Sequence, residues 1–168
     1  MFFKSMLLLI CVVNGQLTNT TSKNTPTPHV PQASQPQLLE NHSPEVALLA
    51  QQFLMHLLRK DWERMFDVAA FPFWLESKAY SSFEDLHEAW EKQLSQKHLE
   101  DYEIRGIEVL TVAQMKERFG PPPARLNKLL SNRDTYWFAV ANVSGRAVVL
   151  LIQPPTERSS FKVVAFHD

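Results

Sequence analysis

Cysteine is almost missing from this chain: Cys11 is the only one among 168 residues. A disulfide-stapled scaffold is therefore excluded, and so is a cysteine-ligated zinc site. Glycine is nearly as rare, with four in all. No Gly-rich phosphate loop can be built from them, and no Gly-x-Ser-x-Gly elbow is present. Excess charge is missing too. Seventeen basic residues face eighteen acidic ones, a net of −1, which argues against a strongly basic nucleic-acid binder. Nor is there an apolar run of the roughly 20 residues that a bilayer span needs. The longest in the body of the chain, Ala147 to Ile152, has the length of a strand.

What is present is unevenly spread. The chain opens with one positive charge, Lys4, and an apolar run from Met6 to Val13. Val13 and Gly15 supply the small residues of a cleavage site before Gln16. This three-part pattern predicts a signal peptide over 1–15 and an exported, secreted or periplasmic product. The alternatives are a buried N-terminal segment or a lipidated Cys11, against which Leu9 and Ile10 argue. Cleavage after Gly15 would remove the lone cysteine.

Residues 16–43 are rich in Thr, Asn, Ser, Pro and Gln, with prolines at 26, 28, 31 and 36. They hold too little apolar surface to offset their ordering entropy, so a disordered, partly polyproline spacer is expected. Asn19 and Asn142 fit the glycosylation acceptor pattern, which matters only in a glycosylating host.

One folded domain is expected over 44–168. Ser43 and Pro44 signal a helix start, and Val46, Leu49, Ala50, Phe53, Leu54, Leu57 and Leu58 follow at helical spacing. Asp61 is the expected cap of a short helix over Trp62–Ala69. Phe71–Leu75, broken by Pro72, reads as an edge strand or an extended entry segment, followed by a turn at Glu76-Ser77-Lys78. Ser82 caps a helix with Phe83, Leu86, Trp90 and Leu94 on its apolar face. A strand over Tyr102–Val112 with a bulge at Gly106 comes next. Helical pieces follow over Ala113–Phe119 and Ala124–Leu130. Three strands over Thr135–Ala141, Arg146–Gln153 and Phe161–His167 close the chain, the first two joined at Asn142–Gly145. Helices, then mostly antiparallel strands, make an α+β class.

The segment from Phe53 to Asp61-Trp62 resembles the first-helix signature of the nuclear transport factor 2-like, or SnoaL-like, superfamily. Phe71-Pro72-Phe73-Trp74-Leu75, Ser81-Ser82-Phe83-Glu84-Asp85-Leu86 and Phe161-Lys162-Val163-Val164-Ala165-Phe166 are similar to its first strand, third-helix start and closing strand. The resemblance covers about 44–168. It implies a cone-shaped, curved, mostly antiparallel sheet wrapped around three N-terminal helices, with a pocket at the open end. It also implies homodimers through the outer sheet face.

Enzymes of that superfamily place a base and a hydrogen-bond donor inside the cone. Aligned on Asp61, the donor tyrosine of its isomerases falls on Phe53, which cannot donate, and the base falls near Glu76 or Ser77. Glu76 is thus a candidate base, with a solvated turn carboxylate as the alternative. His56 and His87 are the other catalytic candidates, and Tyr102, Tyr136 and His167 could join a dehydratase-like set. No metal motif is found: His87-Glu88-x-x-Glu91 lacks a second histidine. No cofactor is expected. Phe53, Trp62, Phe73, Trp74, Trp90, Tyr102 and Trp137 are the candidate lining of an apolar ligand pocket, or else core filling. The expectation is a non-enzymatic domain that binds a small apolar molecule or a protein partner. A lyase or isomerase acting in the cone is the alternative.

Overall fold

A computed structural model describes residues 43–121, 130 and 134–168, with the side chain of Glu100 left aside. The leader over 1–15, the spacer up to residue 42 and residues 124–129 of the expected second helical piece lie outside the described residues.

Helix α1 runs from Ser43 to Leu58 and buries Val46, Ala50, Phe53, Leu54 and Leu57, the inner part of the expected stripe. Its end is a Schellman motif. The Asp61 N–H reaches back to the His56 carbonyl (2.9 Å) and the Lys60 N–H to Leu57 (3.1 Å). Lys60 takes φ +55°, a left-handed conformation usually left to glycine. Helix α2 covers only Trp62–Asp67, shorter than expected because Ala69 already starts a strand. The Asp61 side chain makes no capping bond to it. It faces His56 and Arg64 instead, at 3.4 and 3.6 Å.

Strand β1 spans Ala69–Leu75 and β2 spans Lys78–Tyr80. Helix α3 is Phe83–Leu94, capped by the Ser82 hydroxyl, which accepts from the Asp85 N–H (3.2 Å). A 3-10 turn at Leu99–Asp101 leads to β3, Ile104–Thr111. Helix α4 is Val112–Phe119, and Gly120 ends it at φ +81°. The last three strands are β4 (Trp137–Val143), β5 (Arg146–Gln153) and β6 (Lys162–His167).

These strands form one six-stranded sheet in the order β2-β1-β6-β5-β4-β3. All neighbours run antiparallel except β1 and β6. The class is α+β, as expected. The segment Phe71–Leu75 is not the edge, however: β2 pairs outside it, and Lys78 belongs to that strand rather than to the turn. Pro72 is tolerated between two strands because the ladder to β6 lapses between Ala69 and Trp74. The expected bulge at Gly106 is there, as a register shift between Ile104 and Gly106.

The sheet is apolar on both faces. Its inner face carries Phe73, Leu75, Trp137, Ala139, Leu150, Ile152 and Val163, packed on α1 and α3. The outer face carries Leu110, Phe138, Leu151, Val164 and Ala165, covered by Val112 and Leu130. This resolves the run Ala147–Ile152. Val148, Leu150 and Ile152 enter the inner core and Leu151 the outer cluster, while Val149 is half-buried and Ala147 exposed. Outer-face cover therefore thins toward the β4–β5 hairpin.

Candidate functional site

The expected pocket aromatics divide between the two faces. Phe53, Phe73, Trp90 and Trp137 are buried in the inner core. Phe53 stacks on Phe73 (5.9 Å between centroids) and meets Trp90 edge-on (6.3 Å). Trp90 in turn meets Phe166 at 4.9 Å. These separations are contact distances for aromatic rings, so the four rings fill the space they share. Trp62 and Tyr102 pack half-buried against this core. Trp74 is on the outer face with Val164 and Ala165, because strand alternation sends it opposite to Phe73. Two buried nitrogens, His56 Nδ1 and Trp90 Nε1, have no hydrogen-bond partner among the described residues. For His56, an Asp61 carboxylate oxygen approaches Nδ1 to 3.4 Å without hydrogen-bond geometry.

The three titratable candidates have three different partners. His56 faces Asp61 at the end of α1. His87 Nε2 lies 3.8 Å from Glu91 Oε1, one helical turn on. Glu76 accepts from the Asp168 N–H at 3.1 Å through Oε1 and contacts His167 Nδ1 through Oε2. Its backbone sits at φ +56° in the β1–β2 turn, and its N–H donates to the Phe166 carbonyl (3.0 Å). Each Glu76 oxygen thus has one contact, an arrangement that ties the turn to the end of β6. Lys97 approaches the same corner, 4.0 Å from Asp168.

Two partners escape sequence reasoning. Glu91 accepts the Trp62 indole N–H at 2.8 Å, joining α2 to α3 across 29 positions. Only its i+4 spacing from His87 gives a sequence signal. His167 comes to Glu76 from 91 positions away, through strand pairing alone.

A depression of about 490 Å³ opens on the sheet beside the β4–β5 hairpin. Gly106, Val140 and Ala147 contribute its apolar part, and Glu108, Asn142 and Arg146 its polar part. The hairpin that bounds it is rigidly specified. Ser144 and Gly145 take φ +50° and +85°, which is a type I′ pattern. The Asn142 side chain accepts from the Gly145 N–H (2.8 Å), and Ser144 bonds Glu103 through both its N–H and its hydroxyl (2.8 Å each). A Cβ placed on Gly106 would meet open space, so packing does not close the depression from the β3 side.

Among the described residues, no group of three or more His, Cys, Asp or Glu side chains could hold a metal ion, and no helix is long and apolar enough to cross a membrane. Comparison with protein-family models, curated proteins and solved structures returns no match to this chain.

Proposed function

We propose that this chain is an exported, non-enzymatic nuclear transport factor 2-like domain that binds a protein surface through the outer face of its sheet, the partner being a second copy of itself. One observation carries the reading: beyond Leu151 and Phe138 burial on the outer face falls off, with Val149 and Val140 half-buried against that cluster and Ala147 exposed beside the open depression. A flat, half-covered apolar sheet is the kind of surface that association buries. Arg146 at the same depression offers a positive group to a partner, while Glu108 beside it already pairs with Arg118.

A small apolar ligand inside the sheet is the less favoured partner, because the inner rings occupy the space between them. The lyase or isomerase alternative draws on Glu76 beside His167, and the contacts of Glu76 to His167 and the Asp168 N–H are those of a tie between the β1–β2 turn and the end of β6. Phe53, buried where the resemblance calls for a donating tyrosine, supplies no oxyanion partner.

Sedimentation equilibrium tests the proposal. A concentration-dependent dimer is expected, and Val140→Glu should make it monomeric without lowering the melting temperature much, since Val140 is only half-buried. A wild-type chain that stays monomeric at high concentration overturns the self-association reading.

A further inference from the structure

A second aromatic surface is on the helical side, where Trp62 and Phe66 flank the inner core. Phe66 of α2 stacks near Phe71 of β1 (6.2 Å, 28° between planes) and meets Phe83 of α3 edge-on at 4.1 Å. Phe83 lies 5.9 Å from the His87 ring, and His87 lies 5.2 Å from Trp62. Five rings thus form one continuous row across three elements. Phe71 and Phe83 are each 38% exposed, among the few large apolar side chains that are. Burial alone does not explain the row.

The row is bordered by negative charge. Glu91 closes one end, held by the Trp62 indole N–H (2.8 Å). On α3, Phe83, His87 and Glu91 follow at i, i+4 and i+8. Glu84 and Glu88 form the next row toward solvent, and both are exposed. Across residues 62–91 the sequence carries seven carboxylates against two basic side chains, five charges negative in a chain whose total is −1. Of the basic groups nearby, Arg64 faces Asp61 (3.6 Å), Lys162 Nζ donates to the Asp67 carbonyl and Lys78 lies over the Tyr80 ring (4.5 Å), while Lys92 follows Glu91 at the exposed end of the row.

Exposed ring faces beside carboxylates have a definite complement. A guanidinium stacks on an aromatic face, is attracted by its quadrupole and pairs with a neighbouring carboxylate. We infer that the Phe71–Phe66–Phe83–His87–Trp62 row, with Glu84, Glu88 and Glu91 along it, is a docking surface for an arginine-bearing segment of a partner protein. Charge complementarity selects this occupant over a neutral sugar or an apolar peptide. The surface is separate from the proposed dimer face, so either can fail without the other.

The experiment is a titration of the purified whole chain with a short synthetic peptide alternating arginine and leucine, followed by NMR at the Trp62 indole N–H. Saturable shifts at that resonance are expected. Phe83→Ala should weaken binding by about threefold or more, the scale of one exposed cation–π contact. Glu84→Gln with Glu88→Gln, both at exposed positions and so safe for folding, should weaken it too. Salt at about 1 M, where the screening length is about 3 Å, should nearly abolish it. The inference is overturned if the Trp62 resonance does not move. It is equally overturned if an aspartate–leucine peptide binds as well, if neutral oligosaccharides bind instead, if the variants leave affinity unchanged, or if the shifts track self-association of the chain.

Discussion

Among the described residues, three other than glycine stand in left-handed backbone; Ser144 lies in the β4–β5 hairpin, and the other two end a helix and turn a strand. Lys60 closes the Schellman turn of α1, and Glu76 turns β1 into β2. Their situations differ. The Glu76 carboxylate holds the Asp168 N–H and His167, so its strain is offset by specific bonds. Lys60 is exposed, and its strain has no comparable return through the side chain. Lys60→Gly should therefore raise stability by about 0.5–1 kcal/mol, the gain from removing Cβ crowding less the added freedom of the unfolded chain. Urea unfolding measures this; a loss of stability would mean that the Lys60 side chain contributes more than its backbone costs. The same contrast bears on Glu76 as a base. A residue kept in an unfavourable φ by two contacts to the chain terminus is committed to those contacts.

At the scale of elements, legibility tracked how local the cause was. The stripe of α1, the Ser82 cap and the Asn142–Gly145 hairpin rest on short-range chemistry and stand where expected. The sequence puts Lys78 in a turn and shows no strand β2, because Lys78-Ala79-Tyr80 has no pattern of its own; pairing with Phe73–Leu75 makes it a strand. The interior place of β1 depends on parallel pairing with β6, about ninety positions away, which no local signal carries. Asp61 looked like a cap, yet the Schellman turn turns its side chain to His56 and Arg64. Of the candidate site, the residue types were visible, but the pairs Glu76–His167 and Trp62–Glu91 are tertiary. Helix α4 shows a local signal stronger than the expectation drawn from it. Thr111 and Gln114 form a reciprocal capping box, with the Thr111 hydroxyl accepting at 3.1 Å and the Gln114 amide oxygen at 2.8 Å. Thr111→Ala should cost about 1 kcal/mol. Hydrogen exchange should show the loss concentrated in Val112–Phe119, and with it more solvent at Leu110 and Leu151 on the outer face. A uniform loss over the whole sheet would contradict a local cap.

For the molecule as a whole, the decisive question is whether the inner aromatics are packing or pocket. The described domain contains no cysteine, so its stability rests on its core without disulfide help. Phe53, at 0% exposure between Phe73 and Trp90, is the residue on which the two readings diverge most. If the rings are core, Phe53→Ala removes dispersion contacts on several sides and leaves a void. The cost is about 3–5 kcal/mol, a large share of the roughly 5–15 kcal/mol that holds a typical domain together. If they line a working pocket, the site is already hydrated or ligand-filled, and the same truncation costs little. A second measurement separates the readings further. An apolar cavity made by truncation stays dry and takes up small aromatic solutes. Indole or benzene should then raise the melting temperature of Phe53→Ala by mass action while leaving the wild-type chain unmoved. Stabilisation of the wild type by the same solutes would show room among Phe53, Phe73, Trp90 and Phe166 that their contacts deny, and would return the interior to the ligand-binding reading.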